Sequence, residues 1–265
     1  MPNAAAFFDL DRTLISGAAA LPMGVEAWRQ GLASSKDMAK WGAAALSFKL
    51  LGDKDETASN EIKTDFLAHI AGTTVEAMDT LGMAAIPRLT DRVRPESRKL
   101  ISMHHEGERD TWIVSASPHS LVEPLAVSLG MTGAIGTKGE IVEGTYTGRL
   151  DGPFVYGAGK VEAIGKLASE RGYDMALCYA YSDSVSDLPM MEYVGHPVAV
   201  NPDSDLLGIS RERGWPVVIF ARKAKRAIAF GGVGMGSVGA SLLAYLIGRR
   251  HGRSNTLAHI TQRKR

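Results

Sequence analysis

The 265-residue chain is 45% hydrophobic and 22% charged, the balance of a soluble globular protein with room for one large domain or a core with an insertion. Its single cysteine, Cys178, excludes an intramolecular disulfide and a multi-cysteine zinc site, and points to a reducing compartment. The net charge of +1 hides an asymmetry: residues 222–265 hold ten Lys/Arg and no Asp or Glu, leaving 20 basic against 29 acidic residues in 1–221. A mildly acidic body thus carries a basic tail suited to an anionic partner.

The first predicted element is the apolar run Ala6-Phe7-Phe8, a short buried strand ending at Asp9, with Asp11 and Thr13 just beyond. The run is too short, and lacks the basic flank, for a secretory signal. From about Leu21 to Val93 no strand pattern occurs. Met23–Gln30, Lys36–Leu51, Glu56–Ile70 and Val75–Leu89 carry apolar residues at helical spacing and read as a helical insertion. Trp28, Trp41, Phe48 and Phe66 read as its core, and Thr73 with Glu76 as a capping box. Strand signals resume at Thr111–Ser115, followed by a helix from about Pro118. Ile135–Leu150 predicts a hairpin turning at Lys138-Gly139, Gly157–Glu170 a helix, and Ala176–Tyr181 a strand leading into Ser182-Asp183. His196–Val200 and Trp215–Phe220 supply two more strands. Strands alternating with helices predict an α/β fold, Rossmann-like, with a mostly parallel sheet whose carboxyl ends face the ligand.

The polar residues of interest fall where strands end or helices begin: Asp9 and Asp11, Ser115, Lys160, and Asp183 with Asp187. Two carboxylates converging on a strand end suit a divalent cation, which prefers hard oxygen donors. They also allow one to act as nucleophile and the other as proton donor. The same D-x-D-x-T fits a capping turn. Taken singly, Ser115 fits a helix cap, Lys160 a solvated lysine, and Asp183 and Asp187 acids at a helix N-terminus. The chemical reading rests on their joint occurrence. Two nucleotide motifs fail: in Gly157-Ala158-Gly159-Lys160, Phe154 stands at the first P-loop glycine and Val161 at the Ser/Thr, and Gly234–Gly239 has no βαβ unit around it.

The set and its order resemble the haloacid dehalogenase superfamily, subfamily IB, phosphoserine-phosphatase-like. Asp9-Leu10-Asp11-Arg12-Thr13 resembles the first motif, Ile113–Ser117 the second, Lys160 the third and Asp183–Asp187 the fourth; Gly195–Asp203 is similar to the end of that subfamily's core. The resemblance implies a phosphatase core over 1–18 and 92–221 and a C1-type helical cap over 19–91. It implies hydrolysis of a phosphomonoester through an aspartyl-phosphate on Asp9, with Asp11 as proton donor and acceptor. Ser115 and Lys160 would bind the phosphoryl group. Mg²⁺ would be held by Asp9, Asp183 and the main-chain carbonyl of Asp11, with Asp187 and Thr13 in support.

A small phosphorylated metabolite is the expected substrate. True phosphoserine phosphatases carry a glutamate shortly after the first motif, whereas here no acid follows Asp11 until Glu26, and the second motif reads Ser-Ala-Ser. Phosphoserine phosphatase proper and a membrane-tethered phosphate-binding module without turnover are the alternative readings. In the tail, Ala227–Gly248 runs 22 residues without a charge between basic clusters. That is long enough to span a bilayer, though six glycines weaken it. A spanning helix, an interfacial segment on anionic lipid and a disordered basic tail all fit; nucleic acid is not expected. The catalytic part is expected in the cytoplasm, with attachment through residues 222–265 to the inner face of the cell membrane as one of the readings the tail leaves open.

Overall fold

A computed structural model describes residues 3–31, 33–34, 63–64 and 67–220. Its first strand, β1 (Ala5–Asp9), is buried at every position. After it come α1 (Ala20–Arg29), α2 (Val75–Thr90), α3 (Pro95–Glu106), β2 (Asp110–Pro118), α4 (His119–Ser128) and β3 (Gly133–Thr137). The hairpin β4 (Gly139–Val142) and β5 (Thr145–Leu150) precedes α5 (Ala158–Arg171), β6 (Tyr179–Ser182) and α6 (Leu188–Glu192). β7 (His196–Val200), α7 (Ser204–Glu212) and β8 (Val217–Val218) complete the described chain.

Six strands form one sheet in the order β3-β2-β1-β6-β7-β8, and every pairing in it is parallel. The winding direction reverses between β1 and β6, which is where an open parallel sheet leaves a crevice at its carboxyl edge. Successive residues of β1 serve opposite faces. Phe7 joins Trp112, Val114 and Ala180 against Ile164 of α5, Met190 and Met191 of α6, and Leu206 of α7. Phe8 stacks on Tyr181 at 4.5 Å and meets the ring of His104 from α3 edge-on. Burial holds the His104 imidazole down to about 3, so it is neutral; Nδ1 accepts from Arg109 and Nε2 lies 2.8 Å from the Tyr181 hydroxyl.

The insertion packs separately. Ala27 of α1 meets Ile70, Met78 and Leu81, with Tyr146 of the hairpin against them. The apolar stripe of α2 (Met78, Leu81, Gly82, Ala85, Leu89) is buried, and α2 also lies on the core helix α4. Gly82 permits that approach: a Cβ there would sit 2.4 Å from the Ser120 carbonyl oxygen. Backbone hydrogen bonds from Gly72 to Tyr146, from Tyr146 to Thr73 and from Val75 to Gly144 bind the start of α2 to the hairpin.

Several sequence expectations shift. The hairpin turns at Glu143-Gly144, both with positive φ (48° and 75°) as a two-residue I′ turn requires, not at Lys138-Gly139. The segment Gly133–Thr137 belongs instead to the parallel sheet. Strand β2 runs on to Pro118, β6 starts only at Tyr179 after a single 3₁₀ turn, and β8 shrinks to two residues. Thr74, not Thr73, caps α2, accepting the Ala77 amide at 3.2 Å. Trp28 is 51% exposed rather than core, because α1 buries Pro22, Gly24, Glu26 and Ala27 and turns Trp28 outward. Helix α3 was not foreseen. Trp41, Phe48, Phe66, Lys36–Leu51 and the tail segment 227–248 lie outside the described residues. Among the described residues no helix is long and apolar enough to cross a membrane.

Gly82→Ala should destabilise the protein. Alanine gains about 1 kcal/mol in helix propensity, but forcing two helix backbones apart costs about 1–3 kcal/mol. Urea unfolding is expected to show a net loss.

Candidate active site

The end of β1 builds the site. Leu10–Leu14 forms one wide turn closed by Ile15 N–H to the Leu10 carbonyl at 3.1 Å. Arg12 takes a left-handed conformation within it (φ 60°, ψ −11°), uncommon for a side chain of its size. The turn carries Asp11 back over the strand end, where its Oδ1 accepts the Ala19 amide at 2.9 Å, at the start of α1. The capping reading and the chemical one thus meet in the same residue.

Three further elements converge there. Helix α5 places Lys160 at its first turn, with Nζ 2.7 Å from Asp9 Oδ1 and 2.8 Å from Asp187. All three side chains are buried. The glycines before it serve this placement rather than a nucleotide: a Cβ on Gly159 would stand 1.9 Å from the Phe154 carbonyl oxygen. Past β6, Asp183 accepts the Thr13 hydroxyl at 3.3 Å on Oδ1 and pairs with Arg12 Nε at 2.7 Å on Oδ2. Asp187 also accepts the Ser182 hydroxyl at 2.7 Å. On β2, the Ser115 hydroxyl oxygen accepts the Ser117 amide at 3.2 Å, leaving its O–H to donate.

Burial pushes the Asp9 carboxyl up to about 7, with Lys160 opposing and Asp187 and Asp11 adding to the rise. Burial, then the charge of Asp9, pushes Asp183 up to about 8 against the pull of Arg12. Loss of water raises Asp11 to about 6, opposed by the Ala19 amide and by Lys160. For Lys160 burial works against the charge, yet Asp187 and Asp9 outweigh it and hold the ammonium above its ordinary range. Asp9 and Asp183 are two hard-oxygen donors that repel one another although each is paired with a cation, Lys160 and Arg12, a donor set that fits Mg²⁺. Among the described residues no three His, Cys, Asp or Glu side chains gather as a metal cluster. The Asp11 carboxylate is engaged with Ala19, consistent with its main-chain carbonyl, not its side chain, as the expected ligand.

The profile of the haloacid dehalogenase-like hydrolases matches residues 6–192, a span that begins within β1 and ends with α6. The chain belongs to that family. It is a phosphatase-type hydrolase, and its α/β fold with a wholly parallel main sheet is the one the motifs led us to expect. It is 37% identical to the phosphoserine phosphatase SerB1 of Mycobacterium tuberculosis over 95% of this chain and 82% of that protein. A protein of unknown function from Bordetella pertussis superposes with a TM-score of 0.70 at 23% identity, covering 82% of this chain and 99% of the other. A phosphoserine phosphatase solved as a phospho-aspartyl intermediate analogue gives 0.57 at 17% identity, covering 82% and 93%. At these identities both structures speak for the fold alone.

The structure gathers Asp9, Asp11, Thr13, Lys160, Asp183 and Asp187 about the carboxyl ends of β1 and β6; Ser115 ends the apolar part of β2, one residue past the partner of Asp9. Sequence reasoning gave no role to Arg12, Ser182 or Asp203. Asp203 Oδ1 accepts the Leu206 amide and Oδ2 the Val185 amide, while its own N–H donates to the Asp183 carbonyl. It thereby locks the loop that carries Asp183 and Asp187 to α7. An acid just before a helix is a legible capping signal; its second bond is not. The larger surface depression, about 850 Å³ and lined by His105, Arg109, Tyr179 and His196 among others, opens beside the amino ends of the strands and holds none of these motif residues.

A carboxyl whose pKa is raised on folding contributes stability that is present below its unfolded value and is lost as pH rises through its folded value. For Asp9, Asp11 and Asp183 that window runs from 3.8 to about 8, across which the Lys160 contribution is constant. In EDTA, Asp183→Asn should therefore melt several degrees above wild type at pH 8, with the gap closing toward pH 5. Adding Mg²⁺ at pH 8 should reverse the order, because only wild type gains from binding.

Proposed function

We propose that the chain hydrolyses a small phosphorylated metabolite with Mg²⁺, through an aspartyl-phosphate on Asp9. The observation that carries this is the buried Lys160 ammonium, 2.7 Å from Asp9 at the crevice beside β1, with Asp183 and Asp11 around the same strand end. We assign 1–18 and 92–221 to the phosphatase core and 19–91 to the cap.

Asp9 attacks phosphorus in line, the bond to the ester oxygen breaks, and Asp11 gives that oxygen a proton. A carboxyl raised to about 6 keeps some of its acid form near neutrality and becomes a competent base once it has given up the proton. It then takes a proton from the water that attacks the aspartyl-phosphate, which releases phosphate and restores Asp9. Lys160 favours the ionised form of Asp9 against the effect of burial and neutralises charge on the phosphoryl oxygens, and the Ser115 O–H donates to one of them. Asp187, with Ser182, holds Lys160 in position. Asp9, Asp183 and the Asp11 carbonyl would hold Mg²⁺, whose charge lets an anionic nucleophile approach an anionic phosphate.

The substrate alcohol is small in this reading; a cleft of about 240 Å³ between α2, the hairpin and the junction of β2 with α4 has a metabolite's size, and none of the motif residues line it. Phosphoserine is not favoured. Glu26, the first acid after Asp11, is buried with its carboxylate 2.7 Å from Arg88 Nε and 3.4 Å from Arg29, so it is committed within the cap instead of being available to an amino group.

Phosphate release from a panel of phosphorylated metabolites, with Mg²⁺ or EDTA, tests the reading. Release should need Mg²⁺ and fall by at least about a thousandfold in Asp9→Asn. Undiminished release in that variant would exclude Asp9 as nucleophile, and no release from any ester would favour a phosphate-binding module. Asp11→Asn should give a burst of p-nitrophenolate from p-nitrophenyl phosphate without sustained turnover, since this leaving group needs no proton but breakdown of the intermediate needs the base.

A further inference from the structure

The geometry points to Arg12 as a built-in counter-cation for Asp183, one that a divalent cation must displace. This rests on the proposal that the cation binds between Asp9 and Asp183. Both Asp183 oxygens are already engaged, Oδ1 by the Thr13 hydroxyl at 3.3 Å and Oδ2 by Arg12 Nε at 2.7 Å. Of the two partners Thr13 is fixed, being buried and part of the wide turn. The Arg12 side chain is 35% exposed, so it can leave for water while its backbone stays in place.

The backbone shows what this placement costs. Arg12 sits left-handed at φ 60°, held by its own N–H to the Gly17 carbonyl at 3.0 Å. Glycine, asparagine and aspartate adopt that conformation far more readily. What an arginine adds is a positive charge against a buried carboxylate that already suffers the repulsion of Asp9. A guanidinium cannot be titrated away at any ordinary pH, so a cation approaching Asp183 meets a fixed like charge until the side chain swings out. Arg12 thus stabilises the cation-free site and weakens cation binding by the same interaction, since a partner that favours only the free state lowers apparent affinity.

The test is calorimetric titration of the full-length protein with MgCl₂ at pH 8.5, with thermal unfolding in EDTA alongside, for wild type, Arg12→Asn, Arg12→Gly and Arg12→Lys. Asn and Gly both suit the left-handed backbone, so a folding failure of one leaves the other. Expected are Mg²⁺ dissociation constants on the order of tenfold lower for Asn and Gly, with unfolding midpoints in EDTA below wild type. Lys, which keeps the charge, should stay within about threefold of wild type. Unchanged or weaker Mg²⁺ binding in Asn and Gly would overturn the inference, as would a Lys variant that tightens as much as they do. If wild type itself bound no Mg²⁺, the cation reading beneath it would fall as well, a result distinct from binding that merely ignores Arg12.

Discussion

The Lys160 ammonium is enclosed with the carboxylates of Asp9 and Asp187 at 2.7 and 2.8 Å, and little else in the site could hold its place without that contact. A charge taken out of water is tolerated only when paired and hydrogen-bonded. Here the pairing joins the end of β1, the first turn of α5 and the loop after β6 into one ionic knot. Each carboxylate alone would be a buried liability, and so would the lysine. Together they fix the direction of the Asp9 carboxylate, which cannot turn from the crevice without abandoning Lys160.

The knot is not charge-balanced. Among the described residues, the cations paired with Asp9, Asp183 and Asp187 are Lys160 and Arg12, and Asp11 lies close by. Burial, with repulsion among the carboxylates added to it, lifts Asp9 to about 7 and Asp183 to about 8. Those raised values mark a place where buried negative charge is crowded. Stability is given up there for function.

Away from this knot, the described helices of the insertion and the hairpin are tied to the core. The hairpin and the start of α2 share backbone hydrogen bonds, while α2 leans on α4 through Gly82. The wall of the 240 Å³ cleft is therefore built from segments tied to each other and to the core. Glu26, the first acid after Asp11 in the chain, is paired with Arg88, while Asp79 and Asp151 line the cleft.

Much of this was legible from the chain because it is local. A buried central strand such as β1 declares itself as a continuous apolar run ending in a carboxylate, and the parallel sheet follows from alternating strand and helix signals. The motif residues were found because each follows a strand or opens a helix. What the sequence could not decide are pairings between residues close in space but far apart in the chain: Lys160 with Asp9 across 151 positions, Thr13 with Asp183 across 170, Arg88 with Glu26 across 62. The hairpin turn was misplaced because Lys138-Gly139 and Glu143-Gly144 carry equally good local signals. Only docking of Gly133–Thr137 beside β2 shows which one reverses the chain. Trp28 was misjudged because apolar content says how much a helix can bury, while packing against α2 decides which face it buries. Sequence alone determined most of the elements and the motif residues; tertiary structure alone decided which charges share a low-dielectric space, since electrostatic coupling depends on distance and burial, neither of which is a local property of the chain.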